Sequence, residues 1–268
     1  MIRIRSRGFK LSISVLAAAT LLGACDRGAS SDSKRSEKAD SAEAGYLPPP
    51  ALESVQRAGG RLTLAGVALP NADLRLGSPE GEVVLGKADG EGRWAVVVPI
   101  QAGVRLFGLS MTRDGRTVQA EGYVMVSEEG HVALLRAGAG AWRLAPTSNA
   151  PRILAVDIDR AGGAVVSGVA APGAGLNVRV DRVVSGGGRA DDAGRFFVAL
   201  KDPMSRSAHD VQVGGEGGED QVTIPATPPL ALTSGPVRSE RVATGWRIDW
   251  VTPGGGVQTT LLIQDSRR

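Results

Sequence analysis

Cysteine is all but absent from this chain: Cys25 is the one example in 268 residues. A lone thiol excludes a disulfide within the monomer and every zinc site built on cysteine pairs. Histidine is nearly as scarce, with His131 and His209 alone, and neither has a second histidine or a cysteine at metal-ligand spacing. Glu129 and Asp210 are their acidic neighbours in sequence; a hydrolytic triad would need partners brought in from distant segments. No metal, no cofactor and no enzymatic activity are therefore expected. Aromatic residues make up only 4% of the chain, and no basic stripe interleaved with aromatics occurs, so nucleic acid is not an expected partner.

Long apolar runs are missing too. The best one, residues 11–24, is short of the about 20 residues that a membrane-spanning helix needs. It follows Arg3, Arg5, Arg7 and Lys10 with no acidic residue among them, the arrangement of an export signal. The net charge of +3 belongs to that segment. Without residues 1–24 the chain carries 27 basic against 28 acidic residues, net −1, and no global positive field remains.

The apolar run closes in Leu22-Gly23-Ala24-Cys25. These residues resemble the bacterial lipoprotein signal, in which the cysteine is lipidated and becomes the first mature residue. The resemblance implies lipidation of Cys25, with a membrane as partner and the cell envelope as location. Asp26 directly after it resembles the enterobacterial signal for retention in the inner membrane, which implies a protein facing the periplasm. Leu22 is a poor fit to an ordinary A-x-A cleavage site.

Residues 25–60 are mostly Ser, Ala, Asp, Glu, Lys and Gly, with little apolar before Tyr46-Leu47 and the three prolines Pro48, Pro49 and Pro50. Such a composition cannot offset the entropy of ordering, so a flexible tether is expected, with a turn or two of helix over residues 51–57.

What the chain does have is a repeat. Residues 66–98 shifted by 102 give twelve identities in thirty-three positions without a gap. Gly66, Val67, Ala68, Pro70, Ala72, Leu74, Gly86, Ala88, Asp89, Gly92, Arg93 and Val96 fall on Gly168, Val169, Ala170, Pro172, Ala174, Leu176, Gly188, Ala190, Asp191, Gly194, Arg195 and Val198. This is an internal duplication. Apolar residues alternate within each copy, at Ala72, Leu74 and Leu76 and at Trp94, Val96 and Val98, which predicts half-buried strands. Between them Asp89 and Asp191 each precede a glycine by three residues; a tight turn and a hairpin are expected there.

Gly66-Val67, Pro70, Ala72, Ala88-Asp89, Gly92 and Trp94, with their counterparts in the second copy, resemble the Ig-like and prealbumin-like modules of bacterial surface proteins, including carboxypeptidase regulatory-like domains. The resemblance implies an all-β fold of two tandem antiparallel β-sandwiches and says little about function. The expected layout is a signal at 1–24, a tether at 25–60, one Ig-like module at 61–147 and a second at 151–268 that ends in a hairpin. Further strands are expected over 106–111, 118–126 and 131–135 in the first copy and 211–213 and 221–224 in the second. The copies close on Trp142-Arg143-Leu144 and Trp246-Arg247-Ile248.

Candidates for binding are few. Trp246 and Trp250 share one strand face around Ile248, with Arg247 and Asp249 opposite. Exposed, that face would be a platform for a sugar ring or a partner protein; buried, it is core. The paired carboxylates Asp157-Ile158-Asp159 and Asp191-Asp192 offer only fragments of a calcium loop, and the glycine runs 186–188 and 254–256 lack the rest of a phosphate loop and are expected to be turns. The expected function is that of a structural or adaptor component of the envelope, with an unidentified protein partner. The alternative is recognition of peptidoglycan or an exopolysaccharide through Trp246, Arg247 and Trp250, and a third reading is an accessory to a hydrolase.

Overall fold

The alternation read in the sequence is realised as nineteen strands in a computed structural model that describes residues 46–144 and 148–264. The proposed signal, Cys25 and most of the proposed tether lie outside the described residues, as does Pro146 in the join between modules.

The first copy contributes β1 (Ala51–Ala58), β2 (Arg61–Val67), β3 (Asp73–Gly77), β4 (Val83–Lys87), β5 (Arg93–Pro99), β6 (Arg105–Arg113), β7 (Arg116–Val126), β8 (Val132–Leu135) and β9 (Trp142–Arg143). The second contributes β10 (Arg152–Ile158), β11 (Ala164–Val169), β12 (Gly175–Val180), β13 (Val183–Arg189), β14 (Arg195–Ala199), β15 (Ala208–Gly215), β16 (Gly218–Pro225), β17 (Val237–Val242), β18 (Gly245–Val251) and β19 (Val257–Ile263).

Four antiparallel sheets result, two in each β-sandwich. Module 1 pairs an outer sheet β1-β2-β5 with an inner sheet β4-β3-β6-β7-β8-β9; module 2 pairs an inner sheet β14-β11-β10-β19-β18-β17 with an outer sheet β13-β12-β15-β16. Leu62, Leu64, Trp94 and Val98 of one sheet meet Leu74, Leu76, Phe107 and Val124 of the other inside module 1. Val156, Val166, Phe196 and Leu261 meet Val178, Val211, Val213 and Ile224 inside module 2.

The repeat has a steric reason at Gly66 and Gly168. The pairing of β1 with β2 shifts register between Leu52 and Ser54, and that of β10 with β11 between Ile153 and Ala155. At each bulge the strands crowd together, so that a Cβ on Gly66 would lie 1.9 Å from the Ala51 carbonyl oxygen and one on Gly168 would lie 1.9 Å from that of Arg152. Only glycine fits. The Asp turns repeat as well: Asp89 Oδ1 accepts the N–H groups of Glu91 and Arg93, and Asp191 Oδ1 those of Ala193 and Arg195.

Three expectations are corrected, and one likeness of sequence proves not to be one of structure. The segment at 51–57 is strand β1 and not helix, so the first module begins ten residues before residue 61. The Asp89–Gly92 and Asp191–Gly194 turns do not close hairpins, because β4 and β5 belong to different sheets, as do β13 and β14. Each turn carries the chain from one layer to the other. Glycines 186–188 lie in strand β13, where a Cβ on Gly186 would come within 2.8 Å of Val198. The two Trp-Arg phrases are not equivalent, since β9 edges the inner sheet of module 1 while β18 lies inside that of module 2. The terminal hairpin β18–β19 forms as expected, and β19 also pairs with β10.

Candidate functional site

The inner sheets bury side chains on both faces, and the second face of each is where the two modules meet. Along β7, Val124 and Val126 enter the core of module 1, whereas Tyr123 and Met125 point to module 2. Along β19, Leu261 and Ile263 enter the core of module 2, whereas Leu262 points to module 1. The contact gathers Leu106, Met125, Ala133 and Leu135 from one side with Ala155, Trp246, Ile248, Trp250 and Leu262 from the other. This continuous apolar layer joins the sandwiches face to face.

Trp246 and Trp250 are therefore interior: they are 7% and 0% exposed. The Trp250 ring meets Tyr123 edge-on, with centroids 5.9 Å apart and planes at 84°, and its Nε1–H donates to Thr260 Oγ1 at 3.0 Å. Trp246 Nε1–H donates across the seam to Glu129 Oε2 at 3.2 Å, beside the Arg241 guanidinium that stands over its ring. The gap left between His131, Arg143, Trp246 and Leu262 is about 10 Å³, space for about one water and no sugar. Arg247 is buried on the other face of β18. Its Nε–H donates to Asp249 Oδ1 at 3.1 Å, and its Nη2 group to Thr259 Oγ1 at 3.1 Å. The platform proposed for Trp246, Arg247 and Trp250 is corrected to core, because an alternating strand that faces a neighbouring module looks the same in sequence as one that faces solvent.

Polar clasps flank the apolar layer. Asp157 lies under it, accepting from the Ala141 N–H of module 1 at 2.5 Å, from Gln258 Nε2 at 3.0 Å and from the Thr260 hydroxyl. Complete burial pushes its carboxyl up to about 6, against the lowering effect of those donors. Gln258 Oε1 in turn accepts the Gly138 N–H, and Ser167 Oγ donates to the Ala141 carbonyl at 2.6 Å. The Arg136 guanidinium of module 1 covers the Phe197 ring of module 2 at 4.2 Å. Asp157 is thus fully engaged by protein donors, whereas Asp159 follows the end of β10. The latter caps an exposed turn by accepting the N–H groups of Ala161 and Gly163.

The histidines lie in different settings. His131 Nε2 is 3.3 Å from Glu129 Oε2, and burial followed by the charge of Arg143 pushes its imidazole below the ordinary range. His209 pairs with Asp181 rather than with its sequence neighbour Asp210. His209 Nδ1 is 2.6 Å from Asp181 Oδ2, while Nε2 is 3.1 Å from Ser205 Oγ, from Ser207 Oγ and from the Ser205 carbonyl oxygen. Asp181 sits at a positive φ of 50° in the turn from β12 to β13. Its carboxyl is held below the ordinary range, first by the Asp210 N–H and then by His209. No spacing signal reveals this cluster, since Asp181 is 28 residues away in sequence. Among the described residues no group of three or more His, Cys, Asp or Glu is arranged to hold a metal ion.

No family model and no curated protein sequence matches this chain. Among solved structures it is similar to a biofilm-associated protein BSP domain, at 14% identity and a TM-score of 0.24, over 69% of this chain and 30% of that one. It is similar also to the central fibronectin-III array of RIM-binding protein, at 14% identity and a TM-score of 0.23, over 83% of this chain and 88% of that one. The chain spans less than a third of the first of these, and at such values neither likeness says what it does.

Proposed function

We propose that this protein is a lipid-anchored component of the bacterial cell envelope, held at Cys25 in the inner membrane and facing the periplasm. There it serves a structural or adaptor role through contacts with other proteins. The observation that carries the reading is the seam. By committing the large apolar surface of Trp246, Ile248 and Trp250 to the neighbouring module, the pair of sandwiches shares one buried layer and leaves its outward features for others. Exposed apolar side chains recur on the two repeated edge strands, Val83 and Leu85 on β4 and Val183 and Val184 on β13. Leu85 is 73% and Val183 67% exposed. An edge strand with apolar side chains outward is a template on which an extended protein segment can add as a further strand.

Photo-crosslinking residues placed at Leu85 and at Val183 in intact cells test this. Capture of one envelope protein at stoichiometric yield is expected; capture of nothing from either edge would reject the adaptor role. Replacing Cys25 with Ala tests the anchor separately, with release into the soluble fraction or stalled processing expected. Unchanged membrane association and processing would reject lipidation. The glycan reading has lost its platform, since both tryptophans are seam residues.

A further inference from the structure

The Asp181–His209–Ser205 cluster goes beyond a contact role. Three chain segments converge on it: the turn after β12 brings Asp181, β15 brings His209, and the loop after β14 brings Ser205 and Ser207. The imidazole is buried, and each of its nitrogens has an oxygen within hydrogen-bond reach. With Asp181 Oδ2 at 2.6 Å from Nδ1, the carboxylate holds the proton on Nδ1 and turns the lone pair of Nε2 towards the serine hydroxyls at 3.1 Å. A serine hydroxyl facing a carboxylate-oriented imidazole is the arrangement that a nucleophilic serine requires.

Which serine reacts follows from the cleft beside it. A depression of about 230 Å³ is lined by Val180, Leu200, Pro203, Met204, Ser205 and His209, with Ser185 and Asp202 as its further polar lining, so Ser205 and the imidazole open onto it. Ser207 does not line it; its Oγ lies 2.8 Å from Ser205 Oγ and steadies that hydroxyl. The wall is apolar on the side of Val180, Leu200 and Met204, which suits a short acyl chain. The Ser205 carbonyl, 3.1 Å from Nε2, is placed to accept the N–H that appears when the imidazole takes up a proton.

The geometry points to a second activity: acyl transfer from small carboxylic esters, with Ser205 as nucleophile, His209 as general base and then acid, and Asp181 as the positioning residue. Ser205 Oγ bonds to the ester carbonyl carbon while its proton passes to His209 Nε2. The tetrahedral adduct expels the alkoxide, which takes that proton and leaves as the alcohol. Water then attacks the acyl-serine by the same route, giving the carboxylic acid and the free hydroxyl. The balance closes without cofactor, metal or oxidant.

The test uses the full-length chain and an alkyl fluorophosphonate, which phosphonylates an activated serine with loss of fluoride. Peptide mapping of the labelled wild-type protein is expected to place the adduct on Ser205. Ser205→Ala is expected to abolish labelling, and Asp181→Asn to slow it at least about tenfold, since without the carboxylate the imidazole tautomer is no longer fixed. Ser54→Ala on distant β1 should label as wild type, and circular dichroism confirms that each variant is folded. Hydrolysis of p-nitrophenyl acetate should follow the same order. An adduct on another residue, no adduct at all, or an unchanged rate in Asp181→Asn would overturn the assignment, and the cluster would then be a clip fastening the loop after β14 to the β12–β13 turn. None of these outcomes bears on the anchor or on the partner.

Discussion

Truncating Trp250 to alanine is the sharpest perturbation of the seam. The ring is fully buried, stands edge-on to Tyr123 across the module boundary and donates its N–H to Thr260. A tryptophan buries roughly 150–250 Å², and at about 25 cal/mol per Å² its removal forfeits roughly 4–6 kcal/mol, in line with the about 3–5 kcal/mol found for buried aromatic truncations. We expect Trp250→Ala to cost about 4 kcal/mol. For a body of this size that lowers Tm by roughly 8–16 °C. Trp250→Phe keeps most of the apolar contact and loses the N–H bond to Thr260, which costs about 1 kcal/mol. Urea unfolding of both variants measures the losses, and Tyr123→Ala combined with Trp250→Ala closes a double-mutant cycle. An edge-on pair in contact gives a coupling of about 1 kcal/mol. Because Tyr123 belongs to module 1 and Trp250 to module 2, that coupling reports the seam and neither core alone. Additive losses, or a loss for Trp250→Ala below about 1 kcal/mol, would show that the rings do not pack as described.

Other consequences are equally checkable. Asp157 has a folded-state pKa near 6 against 3.8 for the free side chain, so the folded chain binds the proton more tightly and stability falls as pH rises between those values. The difference in unfolding free energy between wild type and Asp157→Asn, followed by urea titration from pH 3.5 to 7.5, should change by on the order of 3 kcal/mol across that window; a flat difference, or one of opposite sign, would refute the burial argument. Gly66→Ala and Gly168→Ala should each lose more than about 2 kcal/mol in thermal unfolding, because the new methyl meets a backbone carbonyl at the bulge. Gly90→Ala, which faces open space, should stay within about 0.5 kcal/mol of wild type.

The duplication exposed much of this architecture in advance, because a strand facing a core writes its period of two directly into residues such as Leu74, Leu76, Trp94 and Val96. The Asp-x-x-Gly turns were legible for the same local reason, since one carboxylate accepting two N–H groups needs only neighbouring residues. Pairing is not local. Nothing in residues 88–94 distinguishes a turn that folds β5 back on β4 from one that carries it to the other sheet, so the hairpin expected there became a crossing between layers. The residues of β1 alternate too weakly to exclude a helix, and Gly186, Gly187 and Gly188 read as a turn because the crowding against Val198 that makes glycine useful in β13 comes from another strand. The seam was invisible for a related reason: Trp246, Ile248 and Trp250 announce a buried or a binding face, but only the fold supplies Leu106, Met125 and Leu135 opposite them. His209 likewise carries no sign of Asp181 in its own neighbourhood.

The divergent ends of the copies also acquire a purpose in this account. The strands without counterparts, β8 and β9 in module 1 and β17 to β19 in module 2, widen the two inner sheets, and most of the seam is built on β7, β8, β18 and β19. After duplication the common half of each copy kept the sandwich, while the divergent half joined one sandwich to the other.

Proton NMR of the tryptophan indoles tests that claim most directly. The account predicts cross-relaxation between the rings of Tyr123 and Trp250, together with an Nε1–H of Trp250 protected from exchange by its bond to Thr260. A freely exchanging Trp250 indole with no cross-peak to Tyr123 would mean that the two sandwiches do not share a seam.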